Sequence, residues 1–337
     1  MNLKDLSLSE LEQWCAERGH ARYRARQLWR WLYQAQERVP ARMTNLPERL
    51  RQQLEDETYV DAVWVDKVFT DRNTASLKAV LRLCDGVGIE AAALLYRFGY
   101  TACLSSQAGC RMACVFCASG QSWERNLSSG EIVDQVLRLA DVAERPMSRV
   151  VLMGVGEPLD NYAQVVKALR QLHQPQGVNM GYRHMTVSTC GLVPQMHWLA
   201  DEGMAVNLAI SLHAVDDEVR KALLPVAARR HSLVEIAEAA RNYSERTGRQ
   251  ITFEYALIDR INDSDESAQR LAEYTRAVKG HVNLIGLNPV EGCELMATPR
   301  AGQGRFLQKL RREGISATMR RSLGVSINAA CGQLRRG

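Results

Sequence analysis

Four of the nine cysteines fall within fifteen residues, Cys103 to Cys117, which read CLSSQAGCRMACVFC. The last three, Cys110, Cys114 and Cys117, form a C-x3-C-x2-C triplet. Thiolates crowded in this way suit a soft or borderline metal better than a packed core. Two centres fit the pattern. A structural zinc wants four ligands, for which Cys103 would be the fourth. An iron–sulfur cubane held by three cysteines leaves one iron open to another ligand. Phe116, between the last two cysteines, can cover a flat ligand or simply pack the loop.

The elements around the triplet read as alternating strands and helices. TACLSS leads into the loop, and RVVLMG, RHMTVST, AVNLAISL, QITFEYAL and HVNLIGL follow, each separated from the next by helical sequence. SSGEIVDQVLRLADVA carries a Ser128/Glu131 capping box with Ile132, Val136, Leu139 and Ala143 on one face. Six such strands predict a parallel sheet, open or rolled into a barrel, with its site at the C-terminal strand ends. A triplet on a strand-to-helix loop of that sheet favours the cubane over zinc.

The strand ends carry small and polar groups. They are GVGEP with Gly156 and Glu157, STCG with Ser188, SLHA with Ser211, Leu212 and His213, the pair Glu254–Tyr255, and LNP with Asn288. Two glycines in GVGEP let backbone approach a ligand, yet Leu159 stands where a dinucleotide fingerprint needs its third glycine. Neither Ser188 nor His213 sits in a G-x-S-x-G elbow, and a histidine after an apolar strand is more often a core or rim residue. Cys15, Cys84, Cys190 and Cys293 read as packing residues.

The rest of the 337-residue chain divides by its periodicities. Residues 1–57 form a small helical unit, with Ser7 or Ser9 capping a first helix and Gly19 ending it. A second helix, ARYRARQLWRWLYQAQE, puts Leu28, Trp31, Leu32 and Ala35 on one face. Its interleaved Tyr23, Trp29 and Tyr33 could stack bases beside Arg22, Arg24, Arg26 and Arg30, or form core and rim. A third helix starts at Pro47. From 58 to 100 the period shortens to that of a β-hairpin meander, with turns at Asp71-Arg72-Asn73 and Asp85-Gly86, and Glu90 reads there as an edge carboxylate.

Hydrophobic content of 46% is that of a globular protein, and no apolar run is long enough to span a bilayer. The N-terminus starts an amphipathic helix, not a secretory signal, which predicts a cytoplasmic protein whose thiols stay reduced. Net charge is +5, unevenly spread: residues 303–337 carry eight basic side chains, Arg335 and Arg336 among them, against the single acid Glu313. Basic faces at both ends suit a polyanion such as RNA, although charge runs alone are commonly solvated faces.

Together CRMACVFC, GVGEP, STCG, SLHA and LNP resemble the radical S-adenosylmethionine superfamily. MTNLP (43–47), CLSSQAGC (103–110), RNLSSGEI (125–132), GVGEPLDN (154–161), TVSTCGLVP (186–194) and AACGQL (329–334) resemble within it the RlmN/Cfr family of RNA methyltransferases. The resemblance implies an α/β fold, a partial (β/α)6 barrel over 101–290, with a helical accessory domain (1–57), a hairpin extension (58–100) and a C-terminal helix, strand and tail (291–337). It implies a [4Fe–4S] cluster on Cys110, Cys114 and Cys117, and S-adenosylmethionine on Gly156, Glu157, Ser188, Ser211, Leu212, His213 and Asn288. Cys331 matches the methylated cysteine, Cys103 its disulfide partner and Glu90 the proton acceptor.

The implied reaction uses two cofactor molecules per turnover. Adenine C2 is electrophilic and does not attack a sulfonium methyl directly. One molecule methylates Cys331; a second, cleaved reductively, yields a radical that takes hydrogen from the S-methyl group, whose carbon then adds to the base. Implied partners are 23S ribosomal RNA, tRNA, and an electron donor such as flavodoxin or ferredoxin, acting on a monomer. C8 methylation of the same ribosomal adenosine, as in Cfr-type resistance enzymes, and a non-catalytic zinc-stabilised RNA-binding module are the alternatives. Departures from the family pattern are Leu323-Gly324-Val325-Ser326-Ile327 ahead of AACGQL, Ala227 in place of an asparagine, and Gly99-Tyr100 before Thr101.

Overall fold

The computed structural model describes residues 1–335; Arg336 of the basic tail lies outside the described residues. Ser7 caps α1 (Leu8–Glu17), its hydroxyl accepting from the Glu10 N–H while the Glu10 carboxylate accepts from the Ser7 N–H. The chain leaves this helix through Gly19 at φ +77°. Helix α2 (Tyr23–Tyr33) follows, then α3 (Glu48–Glu57), for which Pro47 is the cap residue rather than part of the first turn.

On α2 the buried stripe is Ala25, Leu28, Trp29, Leu32 and Tyr33, so Trp29 and Tyr33 are core side chains with ring centroids 4.4 Å apart. They are closed to RNA bases. Trp31 is half-buried, its indole N–H donating to Asn45 Oδ1 at 2.7 Å, and Ala35 is exposed. Tyr23 stays outside, with the Arg24 guanidinium 4.7 Å from its ring.

Three antiparallel strands come next, β1 (Val63–Asp71), β2 (Ser76–Leu83) and β3 (Gly88–Tyr96), then β4 (Gly99–Cys103), which pairs antiparallel with β3. A short hairpin of β5 (Gln107–Gly109) and β6 (Trp123–Asn126) brackets the cysteine loop. The alternating region runs α4 (Ser129–Ala143), β7 (Met147–Leu152), α5 (Tyr162–His173), β8 (Met185–Thr189), α6 (Val193–Asp201) and β9 (Asn207–Ser211). It continues with α7 (Asp217–Leu223), α8 (Ala227–Arg230), α9 (Leu233–Thr247), β10 (Thr252–Leu257), α10 (Asp265–Val278), β11 (His281–Gly286), α11 (Arg300–Arg312) and β12 (Ala317–Met319).

These strands form one ten-stranded sheet in the order β1-β2-β3-β4-β7-β8-β9-β10-β11-β12, parallel from β4 onward. The meander therefore continues the barrel sheet, and a short seventh parallel strand, β12, extends the six read as βα units. Glu90 is no edge carboxylate. Strand β3 lies between β2 and β4, and Glu90 is 4% exposed.

The N-terminal segment is locked to this sheet by a buried ion pair between Lys4 and Asp134 of α4, both essentially solvent-free. Asp134 also accepts from the Ala62 N–H at 2.9 Å, and Gln171 Nε2 donates to the Lys4 and Leu6 carbonyls at 2.8 and 2.9 Å. Removing one partner strands the other charge in the interior. Lys4→Ala is expected to lower the unfolding free energy by about 3–5 kcal/mol in urea titration, and Lys4→Met with Asp134→Leu to recover most of that loss. Among the described residues no helix is long and apolar enough to cross a membrane.

Candidate active site

A cavity of about 140 Å³ opens at the C-terminal ends of the parallel strands. Its lining contains Cys110, Cys114, Cys117, Gly156, Glu157, Ser188, Ser211, His213, Asn288 and Cys331, ten of the thirteen site residues read from the sequence. Cys103, Glu90 and Leu212 do not line it. Leu212 is fully buried, its N–H donating to the Glu254 carbonyl at 3.0 Å and its carbonyl accepting from Ala214 at 2.8 Å.

The cysteine loop is held by the Cys110 N–H on the Ser122 carbonyl at 2.8 Å and the Val115 N–H on the Leu223 carbonyl of α7 at 3.1 Å. Burial pushes the Cys110 thiol up to about 12 and raises Cys114 as well, the neighbouring thiols adding to the shift. Thiols kept neutral by burial, as Cys110 and Cys114 are, ionise when a cationic centre binds them. Three cysteines around one cavity match the protein ligand number of a cubane with one open iron, and Cys103, which a structural zinc would need as its fourth ligand, does not line that cavity.

GVGEP does more structural work than its glycines suggest. A Cβ on Gly154 would lie 2.7 Å from the Leu104 backbone, and one on Gly156, at φ +108°, 2.7 Å from Gln107 Cβ. The room the glycines leave is taken by the end of the neighbouring strand. Glu157 is buried, its carboxylate accepting from Leu159 N–H at 3.0 Å and Cys190 N–H at 2.8 Å, and burial raises its pKa. It ties the end of β7 to the end of β8.

His213 sits at φ +57° with Nδ1 accepting from the Ala256 N–H at 3.0 Å, which leaves the proton on Nε2. Burial, with the Arg220 charge adding, drops its pKa to about 3, so the ring is neutral at physiological pH. Phe116 meets it edge-on, with centroids 4.9 Å apart.

The C-terminal tail closes over this cavity. Gly332 O accepts from the Ala118 N–H at 2.9 Å, Leu334 O from Ser119 Oγ at 2.7 Å, and Cys331 O from Asn288 Nδ2 at 3.0 Å. Gln333 Nε2 donates to the Pro289 carbonyl at 3.0 Å, and the Arg335 N–H donates to Glu90 Oε2 at 3.0 Å. Glu90 Oε1 lies 3.0 Å from Lys78 Nζ.

Cys331 is exposed toward the cavity. Cys103 lies beneath the tail in a small apolar cluster with Leu323, Ala329 and Leu334. Burial, and the neighbouring Cys331, push the Cys103 thiol up to about 12; Cys331, though exposed as a residue, has its thiol desolvated by the cavity walls and is raised too, against the pull of Arg320. All nine cysteines are free thiols. The departures before AACGQL fit their surroundings: Leu323 joins that apolar cluster, and Ser326 and Gly324 lie close enough to Asp71 to help hold its carboxyl below the usual carboxylate range.

Sequence reasoning missed four residues here. Cys190, read as packing, lines the cavity and donates to Glu157; its place in STCG was the available signal. Glu254, noted only as a strand end, faces the cavity with Oε2 3.6 Å from Arg320. Arg320 and the buried Arg220 gave no signal beyond their charge. Of the other cysteines read as packing, Cys15 is buried, whereas Cys84 is exposed and Cys293 half-buried.

A partial parallel barrel with a three-cysteine loop at its strand ends defines a radical S-adenosylmethionine enzyme. The family model described as "Radical SAM superfamily" matches residues 104–272, and "Ribosomal RNA large subunit methyltransferase N-terminal domain" matches residues 1–60. Two proteins named "Probable dual-specificity RNA methyltransferase RlmN" align along the chain. That of Symbiobacterium thermophilum is 46% identical over 99% of this chain and 91% of its own; that of Desulforamulus reducens is 43% identical over 100% and 96%. The crystal structure of a radical SAM methyltransferase from Sphaerobacter thermophilus superposes with a TM-score of 0.95 at 42% identity, covering 99% of both chains. The chain belongs to the RlmN family of radical S-adenosylmethionine methyltransferases.

Proposed function

We propose that the protein methylates C2 of an adenosine in 23S ribosomal RNA, and the adenosine 3′ to the anticodon in tRNA, through a methyl group carried on Cys331. The observation that carries the reading is the tail, which brings Cys331 to the cavity of the cysteine triplet and lies over Cys103. The dual-specificity name of the relatives supports both RNA substrates.

Cys110, Cys114 and Cys117 would hold the cluster, and Glu157, Ser188, Ser211, His213 and Asn288 would surround the cofactor, of which two molecules would be consumed per turnover. When bound, cluster and cofactor supply one-electron reductive cleavage of a sulfonium bond, fed by a donor such as flavodoxin or ferredoxin. Cys331 takes a methyl by displacement; Arg320 offsets part of the desolvation that raises its thiol. Glu90, ion-paired to Lys78, accepts the ring proton once the tail shifts and the Arg335 N–H lets go. Cys103 then attacks the Cys331 sulfur. Once the adduct's unpaired electron has passed to a one-electron acceptor such as the oxidised donor protein, the S–S bond forms as the S–C bond breaks. The electron pair stays on the carbon attached to the base, a proton completes the methyl group, and an external dithiol reduces the disulfide for the next turnover.

Mass-spectrometric mapping of methyladenosine isomers tests the assignment in 23S rRNA and tRNA separated from cells that gain this protein. 2-Methyladenosine is expected in both. 8-Methyladenosine overturns the regiochemistry, and unmodified tRNA removes the second substrate.

A further inference from the structure

Arg220 on α7 has none of its side chain open to solvent. Its Nη2 donates to the Cys190 carbonyl at 2.5 Å, while Nε and Nη1 have no partner among the described residues. A guanidinium buried with unsatisfied donors costs several kcal/mol unless an anion compensates it. The chain supplies no such anion in ion-pair contact among the described residues, which points to a compensating group that the folded polypeptide alone does not contain.

The position of the side chain identifies that group. Arg220 stands behind the cavity wall at Cys190, whose carbonyl it holds, and a Cβ on the adjoining Gly191 would lie 3.6 Å from Nη2. Its helix also braces the cysteine loop, through the Leu223 carbonyl on the Val115 N–H. We propose that Arg220 is the buried countercharge of the iron–sulfur cluster, a positioning residue that stabilises its reduced form and so raises its reduction potential. Three thiolates leave a cubane net negative, reduction adds one further negative charge, and a fixed cation nearby favours that step. The inference rests on the reading of Cys110, Cys114 and Cys117 as cluster ligands.

The experiment compares wild type, Arg220→Met and Arg220→Lys, each reconstituted anaerobically with iron and sulfide. The readouts are redox titration followed by electron paramagnetic resonance and thermal unfolding of the cluster-free chains. Arg220→Met is expected to shift the midpoint to more negative potential, and Arg220→Lys to return it toward wild type. Without cluster, Arg220→Met unfolds at the same temperature or higher, because it removes an uncompensated charge. The potential decides: an Arg220→Met midpoint equal to wild type overturns the proposal and leaves Arg220 a structural residue. Wild-type protein that assembles no cluster overturns the cluster reading itself, a separate and distinguishable failure.

Discussion

Cys331→Ala is expected to abolish RNA methylation, lowering turnover by roughly 10³-fold or more, as loss of a covalent carrier does when no neighbour can replace it. Tritium transfer from labelled S-adenosylmethionine into RNA measures it. Cys331 has no alternative nearby: Cys103 is buried beneath the tail, Cys190 is engaged with Glu157, and the triplet is assigned to the cluster in the proposed reaction. Iron content is expected to stay at the wild-type level, since Cys331 is outside the triplet. Cys103→Ala separates the two cysteines' roles. Cys331 still takes up the methyl, but its sulfur cannot be released from the base, so a covalent protein–RNA adduct accumulates on denaturing gels. An alanine variant at 331 that methylates RNA at the wild-type rate removes Cys331 as carrier.

The second large effect falls on the triplet. Cys114→Ala is expected to bring bound iron and acid-labile sulfide to background after anaerobic reconstitution, and activity with them, because a cubane held by two cysteines has lost one of its three anchors. The fold survives. The loop is fixed by backbone hydrogen bonds at Cys110 and Val115 and by the tail at Ala118, so circular dichroism of the variant matches wild type. Full iron retention in Cys114→Ala would remove Cys114 from the ligand set.

Much of this architecture is legible in the residue pattern, for physical reasons. The Ser128/Glu131 capping box is a local interaction, and the structure has it; of the two caps offered for the first helix, Ser7 or Ser9, it uses Ser7. The six βα strands announce themselves by apolar runs between helical periods, and their polar ends mark the cavity rim. What escaped depends on distant contacts. Nothing in a local window reveals that β3 is interior, so Glu90 looked like an edge residue until β4 covered its other side. Trp29 and Tyr33 lie among arginines in sequence, yet their helical phase turns them inward. Strand β12, only Ala317–Met319, is too short to show a period. Arg220 reads as an ordinary helix cation, and only the packing of α7 behind the cysteine loop shows that it is solvent-free and missing partners.

The central claim is that a methyl group passes through Cys331 to adenine C2. It is tested most directly with purified, reconstituted enzyme, unlabelled RNA and S-adenosylmethionine deuterated throughout its methyl group. The account predicts label on the Cys331 peptide before it reaches RNA. It then predicts 2-methyladenosine whose methyl group has exchanged one deuterium for hydrogen, because a hydrogen atom is removed from the S-methyl group before the carbon–carbon bond forms. A fully deuterated methyl group on the product, with no labelled Cys331 at any time, would contradict it.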